Sequence, residues 1–344
     1  MNLIKPYFEV LPQPMDILDV YKQVEHAGRT CYKSHDKITQ DSAQKFVDML
    51  IGRGHTAALE SGTVYLCVDA DYKPGVVQRY ENNKYSITNP SPQDGLFYIT
   101  TNLRVIHENG WYGDLEHWSG LTAHHEPRIT VRFVCDRGVS HELVRHRAMS
   151  FMQESTRYCN YAKSDSIDYI APEWMHNLQH GQHDSCALVS QYRSIPPQQE
   201  FLSEELKELV WLNSVATSEL NYLELIKNGW KPEQARSILP NTLKTEIVVT
   251  GFLFDWLGGV KLYESCMEQG RTTYKCIGSI PEKEYEFRKA DYDSKYVIYK
   301  WGFFPLRAAT PAHPQMKQLA YPLKDEFIKL GFYNRDYNLY AQKA

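Results

Sequence analysis

The segment at residues 145–158, RHRAMSFMQESTRY, combines three arginines, one histidine and two serines within fourteen residues. Guanidinium groups and hydroxyls bind anions, and arginine can hold a phosphate through two parallel hydrogen bonds. In an extended chain, Ser155 and Arg157 would project to the same side, so that a hydroxyl, a backbone N–H and a guanidinium converge on one point. We therefore predict phosphate binding here, although composition alone is equally compatible with a structural cluster.

A short helix is predicted to present this segment. Ser140 has the side chain of an N-cap, so HELVRHR at 141–147 is predicted to be helical. Glu142 and Arg145 would then share a helix face, which would also suit an ordinary salt bridge. Arg147 would follow where the helix frays.

The flanking patterns predict both helices and strands. Residues 42–60 indicate a helix that ends at Gly52 and Gly54, whereas 62–70 and 128–136 are typical of strands. Further on, the patterns predict one long helix or a helix pair over 199–229 that ends at Gly229, a helix between Pro232 and Pro240, and a β-rich apolar run over 245–257. We predict an α/β (α+β) fold with a mixed sheet flanked by helices, as a single domain over 1–344 with insertions at about 70–127 and 259–300.

Bulk composition excludes several classes of protein. The chain has 344 residues and a net charge of −4, which counts against general nucleic-acid binding because that activity is typical of basic surfaces. Seven cysteines lie far apart without a C-x-x-C pair, so we expect neither a disulfide framework nor a metal site. The sequence shows no secretion signal and no membrane span, which favours the cytoplasm.

Four segments together resemble one enzyme family. The pattern R-H-R-x-x-S-x-x-x-x-S-x-R-Y at 145–158, preceded by SHELV, resembles the signature of flavin-dependent thymidylate synthases. GHTAALE at 54–60, EQARSILP at 233–240 and LRAATPAHPQM at 306–316 resemble further segments of that family, in the family's order. The two predicted insertions fall between these segments.

The resemblance implies an activity and its cofactors. Members of the family reductively methylate dUMP to dTMP with FAD, with methylenetetrahydrofolate as carbon donor and NADPH as electron source. They form homotetramers whose active sites draw on several subunits, so a homotetramer is expected here. Neither nucleic acid nor a membrane is an expected partner.

The resemblance also implies roles for individual residues. The implied FAD contacts are His55, Arg145, His146, Arg147 and Gln153. The implied dUMP contacts are Glu142, Leu143, Val144, Arg145, Gln153, Glu154, Ser155, Thr156, Arg157, Arg236 and Arg307. Arg307 is the implied catalytic residue, because a fixed guanidinium would stabilise negative charge on the N3/O4 side of uracil while C5 becomes nucleophilic. No enzyme nucleophile is then required, and reduced flavin supplies the hydride.

Each of these residues also has an ordinary structural interpretation. His55 could simply end a helix, Arg236 could pair with Glu233 three residues earlier, and Arg307 could extend to solvent beside the apolar FFPL run. Each ordinary interpretation is credible by itself. It is not credible that all of them hold at once in a chain that also carries the long motif.

Two segments depart from the family pattern. Ala57 stands where a polar residue is usual, and Phe252 and Phe254 stand where an asparagine and an arginine usually help to hold FAD. Either Arg271 or another residue of the second insertion substitutes for them, or the flavin is held differently, in part by aromatic stacking. Two other functions stay open: a flavin- and folate-dependent pyrimidine nucleotide hydroxymethylase, and a non-catalytic nucleic-acid-binding module.

Overall fold

The computed structural model describes residues 1–91, 94–164, 166–195, 202–268 and 271–334. They separate into two compact units. Among these residues, the first unit comprises those within 1–126, 130–145 and 150–250, and the second comprises 127–129, 146–149 and the described residues from 251 onward. The single domain and its two insertions stay a prediction. None of the described helices is long and apolar enough to cross a membrane.

Three sheets form the framework of the first unit. It carries all or most of ten strands, β1 (Asn2–Ile4), β2 (Tyr7–Val10), β3 (Thr63–Asp69), β4 (Ile87–Pro90), β5 (Leu96–Asn102), β6 (Arg128–Asp136), β7 (Ser150–Gln153), β8 (Asp168–Ile170), β9 (Gly181–Gln182) and β10 (Lys244–Phe252). The strand orders are β8-β1-β9, β2-β6-β10-β7 and β3-β5-β4. β1 pairs with β8 in parallel and with β9 antiparallel, which makes the set of sheets mixed. The strands predicted at 62–70 and 128–136 are confirmed.

Eight helices of the first unit connect these strands within its described residues: α1 (Ile17–Tyr32), α2 (Ser42–Gly52), α3 (Pro74–Glu81), α4 (Leu103–Asn109), α5 (Arg137–Leu143), α6 (Ser185–Arg193), α7 (Glu204–Lys227) and α8 (Pro232–Ala235). The helix predicted from residue 42 is confirmed and ends at Gly52. The long helix predicted over 199–229 is one helix, α7, in the residues described from 202 onward. At its end the Trp230 N–H bonds to Leu225 O and the Gly229 N–H to Ile226 O, both at 3.0 Å, which closes the last turn as predicted.

A hydrophobic core places the sheet β3-β5-β4 against α1 and α2. It is formed by fully buried aliphatic side chains of α1, β3 and β5, including Val20, Val64, Leu66 and Ile99. Met152 of β7 packs against the same core, so the strand that directly precedes residues 154–158 is anchored in it. The helix predicted after Pro232 starts there as α8, but it ends at Ala235 and a 3₁₀ turn (Arg236–Ile238) follows.

The second unit is built on a separate sheet and five helices within its described residues. Its elements are α9 (Leu253–Leu257), β11 (Gly259–Glu268), β12 (Arg271–Pro281), α10 (Glu282–Phe287), α11 (Lys289–Asp293), β13 (Val297–Trp301), α12 (Phe303–Arg307) and α13 (Pro314–Lys329). The strand order is β12-β11-β13. The β-rich run predicted over 245–257 was wrong in its second half, where α9 replaces the strand. A short apolar run suits a buried helix as well as a strand, and Trp256 is fully buried in this helix.

Two glycines of the second unit touch each other backbone to backbone. Gly258 has φ +61° and Gly302 has φ +90°, and a Cβ atom on Gly258 would lie 2.8 Å from the Gly302 Cα. A Cβ on Gly302 would meet Gly258 Cα and N, which are backbone atoms that cannot rotate away. Neither position therefore accommodates a side chain.

Gly302→Ala is expected to lower the free energy of unfolding by at least about 2 kcal/mol, because left-handed strain and overpacking add. Chemical denaturation measures the loss. Gly331→Ala is the matched control: its φ is also positive, at +77°, but a Cβ there has no neighbour within 4 Å among the described residues. Equal losses in the two variants would show that the close approach is unimportant.

Candidate functional site

The helix that precedes the motif begins earlier than predicted. α5 spans Arg137–Leu143, and its N-cap is Asp136, whose Oδ1 accepts the Val139 N–H at 2.8 Å. Ser140 lies inside the helix and its hydroxyl donates to Arg137 O at 2.9 Å. The predicted helix over 141–147 with Ser140 as its N-cap was therefore wrong. Asp136, at the end of β6, caps the helix instead, four residues before Ser140.

The earlier start changes the setting of the predicted ligand residues 142–145. Leu143 is buried at 1% exposure, so its side chain belongs to the core. Glu142 is half-buried, and Val144 and Arg145 are exposed beyond the helix end. Arg145 thus presents its guanidinium to solvent from a turn rather than from a helix.

Gln153 is held in place by two hydroxyl groups. It ends β7, paired opposite Ile247 of β10. Its side-chain Nε2 donates to Ser140 Oγ at 2.8 Å and to Thr245 Oγ1 at 3.2 Å. The α5 residue that had been predicted as a helix cap therefore orients a predicted ligand-binding amide.

The chain after Gln153 forms a turn, whereas an extended conformation was predicted for it. The N–H groups of Tyr158 and Cys159 bond to Ser155 O at 3.1 and 3.0 Å, and the Arg157 N–H approaches Ser155 Oγ at 3.4 Å. The Ser155 N–H bonds to Cys31 O at the end of α1 at 3.0 Å. Local side-chain-to-backbone bonding of serine favours such turns over strands. We call residues 155–158 the motif turn.

A distant segment contacts the motif turn. Arg236, the first residue of the 3₁₀ turn after α8, donates from Nη1 to Thr156 Oγ1 at 2.9 Å. Thr156 is buried, whereas Arg157 is exposed and its guanidinium lies 5.4 Å from the centre of the Tyr158 ring. The structure thus brings two of the predicted arginine-bearing segments together within the first unit.

His55 reaches the same turn through two tyrosines. It follows α2, and its Nδ1 lies 3.3 Å from the hydroxyl of Tyr32, at the end of α1. The rings of Tyr32 and Tyr158 are 5.4 Å apart. The Gly-His segment, the end of α1 and the motif turn are therefore neighbours, and Tyr32 was not identified from sequence.

Glu154 points into the protein. Its carboxylate accepts the Tyr161 hydroxyl at 2.8 Å and the Lys244 ammonium at 3.3 Å. Lys244 also bonds to Glu246, which pairs with Arg132 at 2.6 Å. In this network Lys244 and Arg132 bind the carboxylates of Glu154 and Glu246, and Arg132 also pairs with Glu9 at 3.4 Å. The Glu154 side chain is therefore held inside the protein, where it supports the motif turn. Lys244 and Glu246 were missed, although their spacing of two in a strand places them on one face.

Burial and charge act in opposite directions on the network. Burial alone would raise the pKa of Glu246, but Lys244 and Arg132 outweigh it and lower that pKa to about 2. Burial likewise opposes charge on Lys244, but Glu154 and Glu246 raise its pKa above the usual value. Glu246 and Lys244 are therefore both charged near neutral pH.

In the second unit, Arg307 and His146 are hydrogen-bonded. Arg307 ends α12, and its Nε donates to His146 Nε2 at 2.9 Å. The His146 ring lies 5.5 Å from that of Phe303. Burial and then the Arg307 charge lower the pKa of His146 to about 4, so the imidazole is neutral at physiological pH. Arg147, the next residue, is exposed.

Phe252 and Phe254 form a parallel aromatic pair in the second unit. Their ring centres are 5.6 Å apart and their planes differ by 5°. The Arg128 guanidinium lies 5.5 Å from the centre of the Phe252 ring. Burial raises the pKa of the neighbouring Asp255 to about 7, although Arg128 opposes the shift. The side chain of Arg271 lies outside the described residues.

Burial disfavours the thiolate form of three cysteines. Burial raises the pKa of Cys31 to about 11 and of Cys159 to about 12, and raises the pKa of Cys135 well above its usual value. Thiolate nucleophiles are disfavoured in such surroundings. The described part of the chain contains no group of three or more His, Cys, Asp or Glu side chains placed to hold a metal ion.

Comparison with known proteins points to one family. Residues 107–265 match the family described as thymidylate synthase complementing protein. The flavin-dependent thymidylate synthase of Corynebacterium aurimucosum is 31% identical over 265 residues, which cover 76% of this chain and 75% of that protein. The one from Pyrococcus abyssi is 29% identical over 205 residues, covering 58% of this chain and 66%, just under two thirds, of that protein.

Among solved structures, a UMP/dUMP methylase from Streptomyces cacaoi bound with 5-Br dUMP is similar, at 15% identity and a TM-score of 0.31. The match covers 86% of this chain and 91% of that one.

Proposed function

We propose that this chain, which belongs to the family of flavin-dependent thymidylate synthases, converts dUMP to dTMP with methylenetetrahydrofolate as carbon donor and NADPH as electron source. The observation that carries the proposal is the hydrogen bond from Arg236 to Thr156 in the motif turn. It joins two segments, 80 residues apart, that the resemblance assigns to the same nucleotide. Membership of this enzyme family argues against the non-catalytic nucleic-acid-binding module.

The motif turn is the proposed phosphate site. Ser155 offers a hydroxyl, Arg157 an exposed guanidinium and Arg236 a second guanidinium, already oriented by Thr156. Charge-assisted hydrogen bonds of this kind are the strong ones in phosphate recognition. The remaining proposed dUMP contacts are Glu142, Leu143, Val144, Arg145, Gln153, Glu154 and Thr156. Because the Leu143 and Glu154 side chains are buried, these two residues would contribute through their backbone.

The residues available for FAD fit its chemistry. FAD carries a pyrophosphate and a planar ring system, and Arg145 and Arg147 are exposed cations while His55 is an exposed imidazole. We propose these residues and Gln153 as FAD contacts, with the parallel Phe252 and Phe254 rings as an apolar surface that replaces the missing asparagine and arginine. When bound, FAD supplies hydride-transfer chemistry.

Arg307 is the proposed catalytic residue. Ionisation of uracil at N3 makes C5 nucleophilic and places negative charge on the N3/O4 side of the ring, and a guanidinium stabilises that charge without changing its own protonation. The raised pKa values of Cys31 and Cys159 fit a reaction that uses no thiolate nucleophile. We also propose a homotetramer, as the resemblance implies, and a cytoplasmic location, which fits the five free cysteines among the described residues.

Mass spectrometry of the product tests the function. The purified protein, supplied with dUMP, methylenetetrahydrofolate and NADPH, is expected to carry a flavin absorbance band and to yield dTMP. A product that carries a hydroxymethyl group would replace the synthase assignment by the hydroxymethylase. A colourless protein that leaves dUMP unchanged would overturn both.

A further inference from the structure

His146 contacts two residues on one face of α12. Phe303 and Arg307 are four apart, and residues with this spacing lie above one another on a helix. The imidazole lies 5.5 Å from the Phe303 ring and accepts the Arg307 Nε–H at 2.9 Å. The ring is therefore placed by packing at one end of the face and by a hydrogen bond at the other.

α12 is itself anchored by aromatic packing. Phe303 is fully buried, and its ring meets the Trp256 ring edge-on with the ring centres 5.0 Å apart. The ring centres of the neighbouring Phe304 and of Phe327 in α13 are 5.1 Å apart. Edge-to-face aromatic pairs add specific geometry to the area that they bury. The backbone that carries Arg307 is thus fixed, whereas its side chain still has several rotatable bonds.

The hydrogen bond defines the state of both groups. Because a guanidinium only donates, Nε2 of His146 must be without a proton to accept from it. Burial and the Arg307 charge both favour the neutral imidazole, so the acceptor is present throughout the range in which enzymes of neutral environments work. The bond engages one of five guanidinium donors and sets the plane in which the others point.

We propose that His146 is a positioning residue that holds the Arg307 guanidinium in the orientation needed to stabilise the uracil anion. The proposal rests on the role proposed above for Arg307 and departs from the implied assignment of His146 to FAD. A donor that is already oriented stabilises the transition state without a further reorganisation cost. Loss of the acceptor would leave the charge of Arg307 intact but remove the hydrogen bond at Nε that helps to set its direction.

His146→Phe keeps an aromatic ring against Phe303 and removes the acceptor. Because a hydrogen bond to a charged group is worth roughly 1.5–3 kcal/mol, kcat is expected to fall about 10- to 100-fold. The flavin absorbance and the Kd for dUMP, read from the flavin spectrum, should change less than about threefold. That change is much smaller than the fall in kcat expected from losing the hydrogen bond. His146→Gln places an amide oxygen near the position of Nε2 and should recover part of the loss.

A double-mutant cycle separates positioning from flavin binding. In an Arg307→Gln background, His146→Phe should have little further effect on kcat. The proposal would be overturned if the effects of the two substitutions on kcat multiplied in the double variant. Loss of flavin from His146→Phe would also overturn it.

An NMR titration of the imidazole gives a readout that needs no turnover. Arg307→Gln removes a neighbouring cation and should raise the pKa of His146 from about 4. An unchanged pKa would contradict the contact itself. If the pKa rises but the wild-type protein leaves dUMP unchanged, the contact stands and the proposed function fails.

Discussion

Arg307→Ala is expected to lower the single-turnover rate of dTMP formation by about 10²- to 10³-fold, the usual effect of removing one donor that stabilises a developing anion. The side chain lies at the end of α12, and its Nε is already bonded to His146. Alanine removes the charge while leaving the buried aromatic residues of α12 in place. Bound flavin should therefore remain, as its absorbance spectrum would show.

Arg288→Ala provides the matched control for Arg307→Ala. Arg288 is an exposed arginine of the same unit and stacks over Tyr292, so its loss should leave turnover unchanged. Arg307→Lys restores the charge but not the planar fork, and we expect an intermediate rate. A rate for Arg307→Ala within threefold of the wild type would remove Arg307 from the mechanism, however well the flavin is retained.

Periodic segments of this chain were predictable from sequence because burial enforces their period. β3, β6, α2 and α7 each present an apolar pattern that matches the observed element. The predicted helix over 141–147 was wrong for a local reason. Asp136 and Ser140 are both good caps, and the pattern that placed the end of the strand at residue 136 does not show which of the two side chains accepts a helix N–H.

Contacts between residues far apart in the sequence limit how much of the site can be predicted from sequence. The motif predicted Ser155 and Arg157, and the EQARSILP segment predicted Arg236. The motif turn, however, depends on a bond from the Ser155 N–H to Cys31 O, which no local pattern indicates. His146 and Arg307 are 161 residues apart, and their hydrogen bond follows only from the packing of α12. Glu154 looked like part of an anion site, yet Lys244 and Tyr161 turn its carboxylate inward.

Lys244→Met is expected to lower the free energy of unfolding by about 3–5 kcal/mol, because it leaves buried carboxylates without their cation. Lys244 is 6% exposed and bonds to both Glu154 and Glu246. Urea unfolding at neutral pH measures the loss. Glu154→Leu, added to Lys244→Met, removes one of the stranded charges and should recover part of the stability, since apolar replacement of a whole buried pair is often close to neutral.

The loss caused by Lys244→Met should also depend on pH. The folded-state pKa of Glu246 is depressed from 4.5 to about 2, so its contribution to stability is present above 4.5 and disappears as the pH falls towards 2. The difference between the wild type and Lys244→Met should therefore shrink in that window. Because Glu154 directly precedes the motif turn, the same variant should weaken dUMP binding before it unfolds. Exposed ion pairs contribute up to about 1 kcal/mol. A loss of stability below this value that does not depend on pH would mean that the network is effectively solvated and does not stabilise the motif turn.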